Sequence, residues 1–252
     1  MDTGVLLDTA ARGGVIARAI LDTIDWQDQA LADAAFEDCI FPTARFAGTN
    51  FSGARFTRCH FITCRFSQAE LRDASFQDCS FTDRGHPDAG AVFITSELKD
   101  ARFTQVELAM ARFERCDLFG ITMERCNLLG TIFAKSDFSR VYGRKTITTR
   151  ASFRACNLAL SELENLRLAG ADFTGSRLRE ANFSGTDLCG ADLRDCDLYG
   201  AVLEQVKLDR ADLRGADITG LNLLRLASFN QLKIEASQQH LLLVALGLDV
   251  DP

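Results

Sequence analysis

The residues able to do chemistry are few, and their spacing argues against most of the chemistry they could do. The three histidines, His60, His86 and His240, lie far apart, so no Ser–His–Asp or Cys–His nucleophile has its base at hand. Nine cysteines stand at 39, 59, 64, 79, 116, 126, 156, 189 and 196 without the paired spacing of a zinc site, which points to reduced thiols and no metal. The 35 Asp and Glu residues could supply carboxylate pairs for acid–base work, but most recur as equivalent lattice positions from which no pair stands out. The glycines also follow a fixed period rather than forming a phosphate-cradling loop. The expectation is a protein that is not an enzyme and holds no cofactor.

What positions these residues is an internal repeat. Leu or Phe recurs every five residues from Phe36 to Phe81, from Phe93 to Phe138 and from Phe153 to Leu223, with Met123 and Ile218 as the variants. These slots take up 17 of the 19 phenylalanines, in a chain with only two Tyr and one Trp. Two residues before each slot stand mostly Ala, Cys, Ser or Thr, with larger residues only at Val106, Ile121, Leu166, Val206 and Leu221. Small and large residues two apart share one face of an extended segment. Two residues after the slot glycine recurs, as at 48, 53, 170, 175, 185 and 190, where a corner needs a permissive backbone.

An odd period cannot stay on one face of a flat strand, nor on one face of a helix, so the chain must turn after every short segment. That makes a solenoid with the large residues in its core. A twenty-residue recurrence, Cys39–Cys59–Cys79 and Cys116–Ser136–Cys156–Ser176–Cys196, hints at four faces per coil.

The chain has 252 residues, a net charge of −7 and a pI near 5.1, which argues against direct binding of nucleic acid by the whole protein. No signal peptide or membrane-length apolar run is evident, so a cytoplasmic protein is expected. The charge is uneven: residues 1–90 carry 8 basic and 13 acidic side chains, 91–150 carry 10 and 7, and 151–252 carry 10 and 15. The basic middle coincides with a break in the repeat.

There are two such breaks. Between Phe81 and Phe93 the segment 82–90, with one of three prolines, reads as a short projecting loop. Between Phe138 and Phe153 the register survives but the slots hold Gly143 and Thr148, so 141–150 reads as a second, larger loop. At the ends, residues 5–24 read as an amphipathic helix capping the rod, weakened by Gly13-Gly14. Residues 237–246 read as a second helix, with Ser237 as cap and Gly247 as stop. The domain reading is a 1–30 extension or cap, a 31–228 solenoid and a 229–252 C-terminal segment.

Stretches such as Ala-Asp-Leu-Arg-Asp (191–195), Ala-Asn-Phe-Ser-Gly (181–185) and Ala-Asp-Leu-Arg-Gly (211–215) resemble the pentapeptide-repeat family. That resemblance implies an all-β fold, a right-handed quadrilateral parallel β-helix, here with two projecting loops and a C-terminal α-helix. At four repeats per coil it gives roughly nine coils and a rod of roughly 40 Å. The two loops are similar to those of the Qnr-type quinolone-resistance proteins. Thr82-Asp83-Arg84 resembles the opening of that group's smaller loop, and Ile147-Thr148-Thr149-Arg150 its larger loop. Leu232-Lys233-Ile234, Gln238, Leu241-Leu242-Leu243 and Leu246-Gly247-Leu248 resemble its C-terminal segment. The extra N-terminal repeats and the polar Tyr142-Gly143-Arg144-Lys145 depart from it.

The resemblance implies DNA mimicry: binding to DNA gyrase and topoisomerase IV and their protection from quinolones. The enzyme-contacting residues would be Tyr142, Arg144, Lys145, Thr146, Ile147, Thr148, Thr149 and Arg150 of the larger loop. Asp83, Arg84, His86, Pro87 and Asp88 would serve in the smaller loop. A homodimer would form through Leu241, Leu242, Val244, Leu246 and Leu248 of the C-terminal helix. The alternative functions are a structural or protein-interaction rod, or a self-resistance factor against a different gyrase poison.

Overall fold

Each five-residue unit turns its slot residue and the small residue before it inward, and stacking these units builds a parallel β-solenoid. The computed structural model describes residues 3–83, 85–142 and 146–249. One face is a seven-stranded parallel sheet through residues 15–17, 35–37, 55–57, 75–77, 102–104, 122–124 and 152–154. It continues as single rungs, Ser152↔Asp172↔Asp192↔Asp212↔Lys233. The next faces in chain order run through 40–42 and 60–62, then through 45–47, 65–67, 92–94, 112–114 and 132–134. The fourth is made of rungs alone, Ala30↔Asn50↔Glu70↔Glu97↔Asp117↔Asp137. Partners such as Phe36 and Phe56 are one coil apart, which fixes four faces of five residues.

Nearly every corner takes a left-handed backbone, and glycine is only its most frequent solution. Gly175 has φ +69°, but Asp38 has φ 52° and Arg58 φ 51° at the equivalent place. A side chain there costs about 1–2 kcal/mol. The cost is offset because the corner N–H joins the ladder, as Arg58 N donates to the Gln77 carbonyl at 2.9 Å.

The core is a square of four columns, three of them aromatic in the N-terminal coils and the fourth running through Leu71, Leu98 and Leu118. Phe41, Phe61 and Phe81 stack at 4.7 and 4.4 Å, and around the square Phe56 meets Phe61 edge-on at 5.4 Å and 69°. Both arrangements suit the ring quadrupole. The small inward position has its own logic. Thr49 Oγ1 donates to the Trp26 carbonyl at 2.6 Å, Ser176 Oγ to Phe153 O at 2.5 Å and Cys59 Sγ to Phe36 O at 3.4 Å. Cys, Ser and Thr thus alternate there as compact donors to a buried carbonyl. Eight of the nine thiols are buried there as free cysteines and only Cys189 is half-exposed. Burial pushes the Cys64 thiol up to about 12.

The N-terminus differs from expectation. The helix is confined to Thr3–Ala11, and residues 15–17 pair with 35–37 as part of the solenoid. Ile16, Leu21, Trp26 and Leu31 continue the period of five backwards and are all buried. Trp26 packs on Phe41 and Phe46 at 5.5 and 5.4 Å.

At the other end the helix is Gln239–Ala245, entered from a one-turn 3-10 segment. The 3-10 segment is opened by a reciprocal Glu235–Gln238 box, and no side chain, Ser237 included, caps the α-helix itself. Gln238, buried, also donates through Nε2 to the carbonyls of Leu213 and Ala216 at 2.8 Å each, closing open ladder positions of the last coil. Gly247, at φ +81°, ends the helix as expected.

Candidate interaction site

Both breaks in the repeat are β-hairpins. The smaller pairs 82–83 with 86–90, and the larger pairs Ser139–Tyr142 with Thr146–Thr149. They lengthen the coil spacing from 20 residues to 27, as in Ser80↔Glu107, and to 30, as in Asn127↔Asn157. The smaller leaves between the second and third faces and the larger between the fourth and first, so they project from diagonally opposite corners.

Phe138 is the last core residue before the larger hairpin, and Arg150 N donates to its carbonyl at 3.3 Å as the chain returns. Arg140 Nη2 donates to Asp117 Oδ2, and Arg150 Nη2 to Asp100 Oδ1. The Asp117 carboxylate holds the Arg140 guanidinium above its usual range. Both arginines lie over Phe119, Arg140 at 4.8 Å and Arg150 at 5.6 Å from its centroid. Val141, Thr148 and Arg150 are exposed and Thr149 is half-exposed. Tyr142, Thr146 and Ile147 lie on the paired strands, while Arg144 and Lys145 fall outside the described residues.

The smaller hairpin turns on Asp83. Its Oδ2 lies 3.0 Å from His86 Nδ1, and its Oδ1 accepts from Gly85 N at 2.8 Å. These bonds, the histidine's first, hold the carboxyl below the usual range. His86 and Asp88 are exposed, Pro87 lies on the return strand and Arg84 falls outside the described residues. At the hairpin's foot a Cβ on Gly90 would strike the Met110 carbonyl and the Ala111 amide. Gly90→Ala is therefore expected to cost about 1–3 kcal/mol in thermal unfolding.

Where the larger hairpin departs, the ladder opens. Among the described residues no rung joins Asp137 to Arg167, whereas the fourth face resumes at Arg167↔Asp187. A cleft of about 610 Å³ results, lined in part by Lys135, Asp137, Glu162, Glu164 and Arg167. Leu166 is buried at its inner edge, in a column where Ser136 and Thr186 are its neighbours.

The surface charge is arranged in rows. Glu70, Glu97, Asp117 and Asp137 stack on the fourth face, and Asp172, Asp192 and Asp212 on the first. Many of these are paired: Arg72 with Glu97 at 2.8 Å, Arg194 with Asp192 and Arg214 with Asp212 at 2.6 Å each. Along the C-terminal helix Leu242 packs into the chain's own core, Leu241 is half-buried, and Val244, Leu246 and Leu248 are exposed.

Sequence reasoning missed Phe119, Asp100 and Asp117 as supports of the larger hairpin. The available signal was Phe119 itself, which like Phe229 lies outside the five-residue slots.

Among the described residues no helix is long and apolar enough to cross a membrane, and no cluster of potential metal ligands occurs. No curated protein matches the sequence. Among solved structures the chain is similar to a trypsin-treated variant of QnrB1, described as a plasmid-mediated fluoroquinolone resistance protein. The identity is 23% over 94% of this chain and 97% of that one, with a TM-score of 0.72. Full-length QnrB1 is similar at 24% identity over 93% of this chain and 100% of that one, with a TM-score of 0.66. A model of the pentapeptide repeat region matches residues 34–85 and 54–133, and one of eight pentapeptide repeats matches 156–195 and 196–226. With more than half of its length matched, the chain belongs to the pentapeptide-repeat family.

Proposed function

We propose that this protein binds type II topoisomerases, DNA gyrase and topoisomerase IV, as a DNA mimic and protects them from quinolone-type inhibitors. The observation that carries the reading is the likeness of fold to a fluoroquinolone resistance protein along nearly the whole chain. The stacked carboxylates present regularly spaced negative charge at about 4.8 Å along the rod. The larger hairpin supplies contacts that DNA lacks, through residues 141–150. No bond is made or broken by this protein. Gyrase retained on the immobilised protein and displaced by duplex DNA supports the reading; retention unaffected by excess DNA contradicts mimicry.

Two copies join through the C-terminal helix, by Val244, Leu246 and Leu248, with Leu241 beside them. Leu242 serves instead as the seal of its own solenoid. Val244→Glu with Leu248→Glu is expected to halve the mass measured in solution while the melting temperature changes little. A monomeric mass for the unsubstituted protein would refute the dimer.

The second reading, a rod that binds another partner or counters another gyrase poison, draws on the charge pairing. Arg72, Arg194 and Arg214 neutralise carboxylates that a phosphate mimic would leave free. It predicts retention of a partner other than gyrase, or rescue from a poison that is not a quinolone.

A further inference from the structure

We propose that Phe119, with Asp100 and Asp117, is a seat that fixes the direction of the larger hairpin and thereby sets how the hairpin meets its partner. The inference rests on the reading that this hairpin is the contacting element.

Phe119 follows the core residue Leu118 and occupies an outward position. The equivalent residues on neighbouring coils are Ser52, Arg72, Lys99 and Ser139, all polar. Yet Phe119 is only 7% exposed. Arg140 in the outgoing strand and Arg150 just past the returning strand both lie over its ring. Each guanidinium ends on a carboxylate of the rod, Asp117 and Asp100 respectively. The backbone is tied at the same place, because Gly120 N donates to the Arg150 carbonyl at 2.6 Å. Gly120 has φ +78°, and a Cβ on it would run into the Asp100 carboxylate and the Arg150 guanidinium.

Both roots of the hairpin are thus held against the coil that precedes it by stacking, charge and a backbone bond. A two-stranded hairpin is marginally stable without support. With its roots released it would swing about its two chain connections, and small changes at the root become large ones at the tip. Phe119 touches no partner; its part is to position the hairpin.

The test uses full-length Phe119→Ala, the double variant Asp100→Asn with Asp117→Asn, and Phe119→Trp. Amide hydrogen exchange is followed in residues 139–142 and 146–150, with strands 55–57 and 102–104 as reference, alongside drug protection of gyrase. Phe119→Ala and the double variant are expected to speed hairpin exchange about tenfold while the reference strands stay unchanged. Phe119→Trp, which keeps an aromatic face under the arginines, is expected to retain slow exchange. In the gyrase assay, the first two variants are expected to need about tenfold more protein for the same rescue. Unchanged hairpin exchange in both would overturn the seat. If Phe119→Ala loosens the reference strands as well, the double variant, with its ring intact, decides. If the unsubstituted protein gives no rescue, the topoisomerase reading fails while hairpin exchange still judges the seat.

Discussion

Phe61→Ala is expected to destabilise the protein by about 3–5 kcal/mol and to lower its melting temperature by roughly 10 °C. Phe61 is fully buried and sits near the middle of the aromatic core. It stacks on Phe41 above and Phe81 below, and meets Phe56, Phe66 and Phe76 across the square at 5.4, 6.0 and 6.0 Å. The coils on either side are locked by their own ladders and cannot collapse into the space, so the cavity term adds to the lost transfer energy. Phe61→Leu should cost less, because leucine fills most of the same slots toward the C-terminus. Phe229→Ala is the control: its ring is 43% exposed and lies outside the slots, and a change within about 0.5 kcal/mol is expected. Equal losses for Phe61 and Phe229 in thermal melting would contradict an energetic core of stacked slots.

Excising residues 141–150 is expected to leave the rod folded and to abolish drug protection. The cut joins Arg140 to Ala151, which restores the five-residue step from Phe138 to Phe153 and puts Ala151 in the small inward position it already occupies. Arg140 then falls at a corner, a place where Arg58 and Arg125 already adopt a left-handed backbone. Shortening a surface loop carries little entropic penalty, so melting should shift by no more than a few degrees. Circular dichroism and melting check the fold, and growth at graded quinolone concentrations checks the function. Undiminished tolerance in the deletion variant would remove the larger hairpin from the mechanism.

The repeating core was legible because period five and small-before-large alternation describe one lattice. The twenty-residue series holds for Cys39–Cys59–Cys79 but breaks between Ser136 and Cys156, where the larger hairpin lengthens the coil to 30 residues and sets Cys156 beside Cys126 instead. The first coil was not legible. Val15, Ile16, Ile20, Leu21 and Ile24 satisfy a helical stripe over so short a span as well as they satisfy period five. Ile24 and Gln29, standing two before Trp26 and Leu31, also lack the small-residue signature. Similarly, the C-terminal helix was legible as an element, but which leucine faces inward depends on its docking angle, which turned Leu242 to the core and Val244 outward. The hairpins could be located from register alone. Their seat could not, since Arg140 and Arg150 reach Phe119 from 21 and 31 positions further along the chain, and only the coil geometry brings them together.

The most direct test of topoisomerase protection is gyrase supercoiling at an inhibitory fluoroquinolone concentration, titrated with this protein. Restored supercoiling at near-stoichiometric protein, with inhibition returning at large excess as the rod competes with DNA, is the expected result. No restoration at any ratio would contradict it.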